Sequence, residues 1–329
     1  MTTRLQAELT RRGHAAEVVH PDRLVTEVGH GGAVVHPFGH ERLPDAVVLT
    51  MSSDHVPSVR SAAQLERAGV PVFNRPCAVL SAADKFTTAV ALEASGVPVP
   101  HAVSVTTIES ALEHAPRIGY PIVVKAADGA EGELVRYVPD ETELPAQIRA
   151  LRAGLGQDVS VRTPLVLQEV VRRSLGRDRR MFVVHGVVQA AMDRVARVGE
   201  WRSNLSQGAS PRRAVATEHE ATIAVQAARA LGLDFTTVDI MWGDDGPVVI
   251  EANPYGDILD MGMTSGLDLI GSLADLAEMK AGARSVGPVE PRPLTEAGHQ
   301  EITEFCVTRL RNKAKELGLP DDVATLAVP

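Results

Sequence analysis

Cysteine is scarce in this chain and aromatic residues are few. Its 329 residues include 2 cysteines, 2 tryptophans, 3 tyrosines and 6 phenylalanines. Cys77 and Cys306 lie far apart and form no metal or redox motif, so a disulfide framework and a CxxC chemistry are excluded. The low aromatic content accompanies a richness in Ala, Val and Arg, which reflects a GC-rich genome and points to no function. No apolar run approaches the roughly 20 residues of a membrane-spanning helix. The opening "MTTRLQAELTRRGH" has no signal-peptide core, so the cytoplasm is the expected compartment. Positive charge is not in excess either. The 33 Lys and Arg against 42 Asp and Glu leave a net charge of −9, which argues against nucleic acid or a membrane surface as partner. Internal repeats and low-complexity tracts are missing. What remains is 44% hydrophobic and 23% charged, an ordinary globular composition long enough for two or three domains.

The pattern of elements supports an α/β section followed by α+β sections. Residues 3–12 read as a helix ending at Gly13, "AAEVVH" as a strand, Asp45–Thr50 as a buried strand, 57–69 as a helix and "VPVFN" as a strand. Such alternation argues for a small parallel α/β domain. A domain of this kind normally opens with a strand, yet this chain begins inside the first helix. Helix 80–95 and the stop "SGVPVP" lead to a second section. There "YPIVVKAA", "LVRYV" and "TPLVLQEVV" are strands, with helices before the first and near 140–153. A strand pair around His185-Gly186, a helix at 217–232 and a hairpin follow, then a linker after Gly282 and an amphipathic helix at 295–317.

That hairpin, "TVDIMWGDDGPVVIEANPYGD", carries the first chemistry. A three-residue loop Asp244-Asp245-Gly246 would pair Gly243 with Pro247 and place Asp239 opposite Glu251. Asn253 then shares the face of Glu251, and the other face collects Val238, Ile240, Trp242, Val248 and Ile250. Two carboxylates about 5–6 Å apart repel unless a cation lies between them. Oxygen-only ligands suit Mg²⁺, with Mn²⁺ as an alternative. The plain alternative is a solvated edge face with incidental charges, and a four-residue loop would break the alignment.

Other clusters are weaker singly. "IVVK" followed by "ADGAEGE" places Lys125 at a strand end before Gly129 and Gly132, where backbone N–H groups could approach phosphates. It lacks the lysine and hydroxyl residue of a P-loop. "ADK" puts Lys85 at a helix start. "LQEVV" carries Gln168 and Glu169 at the end of an apolar strand. "RVARVGEWRSNLSQGA" gathers Arg194, Arg197, Arg202 and Asn204, groups suited to phosphates or carboxylates. Asp178 and Arg180 precede the strand "MFVVHG". His30, His36 and His40 read as surface histidines.

Together and in this order, these pieces resemble the ATP-grasp superfamily, most closely the RimK-like carboxylate–amine ligases of the ribosomal protein S6 glutamate ligase group. The resemblance spans about residues 10–280. It is strongest across "VVKAADGAEG", "LQEVV", "GRDRRMFVV", "WRSNLSQGA", "TTVDIMW" and "VVIEANPYGD". It implies an ATP-grasp fold with an N-terminal α/β domain (1–80) apparently lacking its first strand. It further implies a central lid (81–165), a C-terminal subdomain holding the metal (166–283), and a linker with a final helix (284–329).

ATP and Mg²⁺ are the implied cofactors. Lys85 and Lys125 would grip the phosphates under the loop Asp128–Glu133. Gln168, Glu169, Val170 and Val171 would carry the adenine, with Asp178 near the ribose and Arg180 beside it. Arg202 and Asn204, with Lys125, would stabilise the transferring phosphoryl group. Asp239, Glu251 and Asn253 would hold the metal. Two departures stand out: Leu134 occupies the place of a third loop glycine, and "PYGD" replaces a small-residue turn after the metal-binding Asn. Tyr255 and Asp257, with Arg194, are therefore expected near the substrate. The implied reaction is amide formation through an acyl phosphate on a small amino-acid-like metabolite, with small-molecule carboxylate and amine substrates. The alternatives are an amino-acid ligase acting on a peptide or carrier-protein terminus and a non-catalytic ATP-binding regulator. A homo-oligomer is compatible with the sequence.

Overall fold

The computed structural model describes residues 1–29, 32–36, 39, 40, 42–50, 55–129, 134–155 and 163–316. The first section contains α1 (Thr2–Arg11), an antiparallel hairpin of β1 (Val25–Gly29) and β2 (Gly32–His36), β3 (Val47–Val48), α2 (His55–Arg67), β4 (Val72–Phe73) and α3 (Pro76–Ala83). Among the described residues only β3 and β4 pair in parallel. The expected strand at "AAEVVH" is not formed: residues 14–20 have no regular structure. A lone run of β-prone residues becomes a strand only where a neighbouring edge accepts its backbone, and among the described residues none does.

The second section opens with α4 (Lys85–Ala94), capped by Asp84, whose carboxylate accepts from the Thr87 amide at 2.6 Å. Next come β5 (Ala102–Val105), α5 (Ile108–Ile118), β6 (Ile122–Ala126), β7 (Val135–Val138), α6 (Leu144–Gly154) and β8 (Leu165–Glu169). The strands form an antiparallel sheet in the order β5-β8-β6-β7. Apolar residues of α5 and α6, Ala111, Ala115, Ile148 and Leu151 among them, pack with Ile122, Val124, Leu165 and Leu167 in one core. β8 therefore belongs to the central sheet, and a boundary at 165 cuts ahead of its last strand. Helix α4 departs from the expected partition too: Leu92 packs with Met181, Val183 and Val249 of the following sheet.

That sheet contains β9 (Arg177–Val184), β10 (Val187–Val195), β11 (Ser210–Ala214), β12 (Phe235–Trp242) and β13 (Pro247–Asn253), with α7 (Glu218–Ala230) preceding β12. Its order is β11-β10-β9-β12-β13, antiparallel throughout. The β9–β10 turn has His185 at φ 47° and Gly186 at φ 78°, the positive pair a tight primed turn demands. One face packs on α7 and α4; the other packs on α8 (Ile258–Ser265) and α9 (Leu269–Lys280), with Ile302 and Cys306 of α10 (Glu296–Glu316) and Leu5 of α1 in the same core.

The β12–β13 hairpin reaches the expected pairing by a different route. Trp242 pairs with Pro247, so the connection holds four residues, not three. Gly246 does take a positive φ, 129°. Ile240 pairs with Val249 and Asp239 with Glu251, so Ile250 is an extra residue in a β-bulge. The bulge restores the register that the longer loop displaces. It also exchanges the faces beyond it: Val249 is 1% exposed in the core with Val238 and Ile240, while Ile250 turns to the opposite side.

Candidate active site

A cleft with about 920 Å³ of empty space, partly open to solvent, lies between the central sheet and the C-terminal sheet. β6 and β8 bring Lys125 and Gln168 to one wall; β12 and β13 bring Asp239 and Glu251 to the other. Lys85 enters from the start of α4, whose amide at Lys85 donates to the Ala127 carbonyl at 3.0 Å. That bond ties the helix start to the turn after β6. The Lys85 ammonium donates to the Gly129 carbonyl and lies 3.6 Å from Glu251 Oε1.

Lys125 is buried at the end of β6, and burial pushes its ammonium down to about 8, with Glu251 pulling up and Lys85 pushing down. Among the described residues it makes no hydrogen bond or ion pair. Two ammonium groups held in one cleft, one of them buried without a partner, form a site that an anion would relieve. Gly129 begins the loop with φ 126°. Gly132 and residues 130–133 lie outside the described residues. Leu134, at the place of the expected third glycine, is an apolar plug: a Cβ on Gly129 or Gly154 would lie 3.4 or 3.2 Å from its methyl groups.

Part of the cleft is apolar, where a flat ring would lie. Val123, Val135, Val170, Val171, Leu175, Met241 and Ile250 line it beside Gln168. Sequence reading missed Leu175, Met241 and Ile250; only the bulge turns Ile250 inward. Glu169 also lines the cleft, but its Oε1 accepts from the His101 amide at 3.0 Å. Trp201 reaches across from the C-terminal side, its ring 5.8 Å from that of Tyr137 on β7. Asn204 lines the same region. Arg202 is paired with Glu200 at 2.9 and 3.0 Å, and this guanidinium holds the Glu200 carboxyl down to about 2.

A ladder of alternating charge runs along the floor of the cleft, where Asp178, Arg194, Ser203 and Asp239 line it. Asp257 accepts from Arg180 at 2.6 Å. Arg180 also grips both oxygens of Asp239, at 2.7 and 2.6 Å. Arg194 donates to Asp239 at 2.8 Å and to both oxygens of Asp178 at 2.7 and 2.5 Å. Ser203 completes the row with a 2.6 Å bond to Asp178. Asp239 is 1% exposed. Burial alone would raise its carboxyl, but Arg180 and Arg194 hold it below the usual range.

Several expected placements change accordingly. Arg180 lies beneath the cleft between two carboxylates and not against a nucleotide. Asp178 lines the cleft and also positions Arg194, with one hydrogen bond on Oδ1 and two on Oδ2. Arg194 lines the cleft from its position between two aspartates. Asp257 is the outer end of the ladder. Tyr255 is not among the residues lining the cleft: it packs against the N-terminal core that contains Leu49, Val59 and Val79. Its hydroxyl has no hydrogen-bond partner among the described residues, and burial pushes its phenol up.

The donor set still fits a divalent cation that prefers oxygen. Among the described residues Glu251 makes one ion pair, with Lys85 at 3.6 Å, and no hydrogen bond. The Asn253 side chain makes no hydrogen bond among the described residues, and its strand position puts it on the face of Glu251. Asp239 Oδ1 carries one hydrogen bond and keeps a lone pair, whereas Oδ2 carries two. Among the described residues no three His, Cys, Asp or Glu side chains converge as a metal cage. Mg²⁺ needs none, because one or two carboxylates with substrate phosphates suffice.

A family model described as a RimK-like ATP-grasp domain matches residues 82–277. The chain belongs to the RimK-like ATP-grasp family. It is 32% identical over 285 residues to a probable alpha-L-glutamate ligase of Thioalkalivibrio sulfidiphilus, covering 85% of this chain and 92% of that one. It is 32% identical over 289 residues to a ribosomal protein bS6–L-glutamate ligase of Escherichia fergusonii, covering 84% and 91%. Among solved structures it is similar to the ATP-grasp ligase PsnB complexed with minimal precursor. The TM-score is 0.63 and the identity 22%, over 84% of this chain and 94% of that one. At that identity the likeness is one of fold. The ATP-grasp family supplies the reason for two sheets facing across a cleft, which the two lysines and the β12–β13 hairpin mark from opposite sides.

Proposed function

We propose that this RimK-like protein is an ATP-dependent carboxylate–amine ligase that forms an amide bond through an acyl phosphate. The observation that carries the reading is convergence. Lys85 and Lys125 meet Glu251 and Asp239 in one cleft, beside an apolar slot and the Arg202–Asn204 segment. ATP fits this arrangement, with its purine in the slot and its phosphates toward the lysines. PsnB structures with Mg and ADP support the same choice of ligands.

The chain's own groups have separable tasks. Lys85 and Lys125 neutralise phosphate charge. Arg202 and Asn204 face the transferring phosphoryl group, Glu200 orienting the guanidinium of Arg202. Asp239, Glu251 and Asn253 would hold Mg²⁺, and Arg180 and Arg194 keep the Asp239 carboxylate ionised and aimed. Held by these residues, Mg²⁺ would supply charge neutralisation for the phosphoryl transfer. A substrate carboxylate attacks the γ-phosphate and ADP leaves; an amine then displaces phosphate from the acyl phosphate. Positioning and preorganised charge supply most of the catalysis.

The argument for a small substrate rested on Tyr255 and Asp257 facing the reacting groups. With Tyr255 packed on the N-terminal section and Asp257 bonded to Arg180, that argument falls. The name of the bS6 relative leans toward a peptide or protein carboxylate as acceptor. A test is phosphate release on mixing the protein with ATP, Mg²⁺ and pairs drawn from amino acids and peptides, with products read by mass. The expected result is stoichiometric ADP, phosphate and a product lighter than its two substrates by one water. ATP binding without turnover on any pair would favour a nucleotide-binding regulator.

A further inference from the structure

We infer that Tyr255 is a positioning residue for the metal, through which the N-terminal section holds Asn253 and the outer end of the charge ladder in place. Its role rests on the assignment of Asp239, Glu251 and Asn253 to Mg²⁺ proposed above. Asn253 is the last residue of β13, and its side chain makes no hydrogen bond among the described residues. A metal ligand without such an outer partner is aimed by its own backbone and by what that backbone packs against. On the strand side the Asn253 carbonyl accepts from the Thr236 hydroxyl at 2.9 Å. On the other side lies the turn Pro254-Tyr255-Gly256-Asp257.

Each residue of that turn is held by a different group. The Pro254 carbonyl accepts from the side-chain amide of Asn74 at 3.4 Å. Asn74 is fully buried just after β4, and the same side chain exchanges two hydrogen bonds with the Phe235 backbone, at 2.8 and 3.0 Å. Tyr255 packs against the core of Leu49, Val59 and Val79. Gly256 lies directly on Thr237: a Cβ there would be 2.1 Å from the Thr237 methyl, so any side chain would force the two apart. Asp257 accepts from Arg180 at 2.6 Å. Two of the four holds, those on Pro254 and Tyr255, come from the N-terminal section.

The Tyr255 ring is the larger of these two holds. Its hydroxyl adds nothing to it, being buried without a partner among the described residues. A buried hydroxyl left unpaired is destabilising, so a phenylalanine would pack here at least as well. The ring therefore carries the role. Without it a gap opens between the turn and the N-terminal core, and a turn that settles into the gap displaces Asn253, two residues upstream. The same movement draws Asp257 off Arg180, whose remaining hydrogen bonds go to both oxygens of Asp239. Two metal ligands thus lose their aim together. The phosphate-side lysines lie on other elements, Lys85 on α4 and Lys125 on β6, and are spared.

The test uses the full chain. It reads Mn²⁺ binding in the presence of ADP by electron paramagnetic resonance, and ADP binding without metal by calorimetry. Asn253→Ala should weaken Mn²⁺ binding by about tenfold or more, and so should Tyr255→Ala. Metal-free ADP affinity should stay within about twofold in both. Tyr255→Phe should keep the Mn²⁺ affinity of the parent and raise the melting temperature. Should Tyr255→Ala fail to fold, Tyr255→Leu keeps apolar bulk without the reach of the ring and should show the same selective loss. Unchanged Mn²⁺ affinity in Asn253→Ala would overturn the metal assignment and the role of Tyr255 with it. A weakened Asn253→Ala beside a Tyr255→Ala that melts lower yet binds Mn²⁺ like the parent would overturn the role of Tyr255 alone. So would a loss of metal-free ADP affinity as large as that of Mn²⁺, or a Tyr255→Phe as weak as Tyr255→Ala.

Discussion

Strand β9 feeds two charge networks, one on each face of the C-terminal sheet. Arg177 and Arg179 point toward α7, where they share Asp193 at 2.7 Å and Arg179 also bonds Glu220 at 2.8 Å. Trp242 covers this group: its ring lies 5.0 and 5.3 Å from the two guanidinium carbons, and its indole N–H donates to Glu220 at 2.9 Å. Asp178 and Arg180, the residues between, point the other way into the ladder along the floor of the cleft. The run "RDRR" looks uniform in sequence, yet it divides by strand parity. On the α7 face every carboxylate is matched and covered. On the cleft face, among the described residues, Lys125 makes no hydrogen bond or ion pair and Glu251 has a loose ion pair with Lys85 at 3.6 Å, at the end of a matched row. Matched charge holds the sheet; unmatched charge marks where a ligand belongs.

Substitutions can separate the two faces. The largest combined effect is expected for Asp239→Ala, which removes the carboxylate that two buried arginines share. Stability should fall by about 3–5 kcal/mol in urea denaturation, and phosphate release should be lost. Arg179→Ala should cost about 2–3 kcal/mol, since Asp193 and Glu220 lose a shared partner. Its kcat/KM for ATP at a temperature where it is folded should stay within about twofold of the parent, because Arg179 touches nothing in the cleft. A loss of ATP turnover as large as that of Asp239→Ala would mean the two networks act as one.

Lys125 sharpens the comparison through pH. Its ammonium titrates near 8 in the free protein, well below the ordinary lysine value. Phosphate binding needs the charged form, so apparent ATP affinity should weaken as pH rises through about 8. Lys125→Arg, which keeps its charge, should flatten that profile. The effect on stability has the opposite sign. Between about 8 and the unfolded value the unfolded chain binds more protons, so this residue makes folding more favourable as pH rises. Lys125→Ala should raise KM for ATP and lower kcat. His36→Ala should change neither, since His36 meets only Glu27, at 3.3 Å on the exposed hairpin.

Much of the cleft was legible from sequence because its residues come in short local runs. Strand alternation alone placed Asp239 opposite Glu251. That success was partly compensation, since a loop one residue longer than expected was offset by a bulge at Ile250 that no local signal announces. The ladder was not legible. Arg180 and Asp239 are 59 residues apart, and an arginine two residues from a ribose-binding candidate reads as a nucleotide ligand until its partners are seen. β5 was missed because "AVSV" is a short run that gains its strand only from β8. The strand expected at "AAEVVH" failed for the converse reason: the pattern is present and the neighbour is not. Tyr255 was misplaced because position in a turn does not tell which way a ring packs.

The most direct measurement is phosphate release by Glu251→Gln beside its melting temperature. Glu251 is the one carboxylate of the hairpin face that no arginine holds, and its loss should not disturb the ladder. The account predicts release reduced at least a hundredfold, about 3 kcal/mol of lost transition-state stabilisation, with the melting temperature unchanged or slightly raised. Release near the parent rate at saturating Mg²⁺, in a protein equally well folded, would contradict the metal assignment and with it the reading of this cleft.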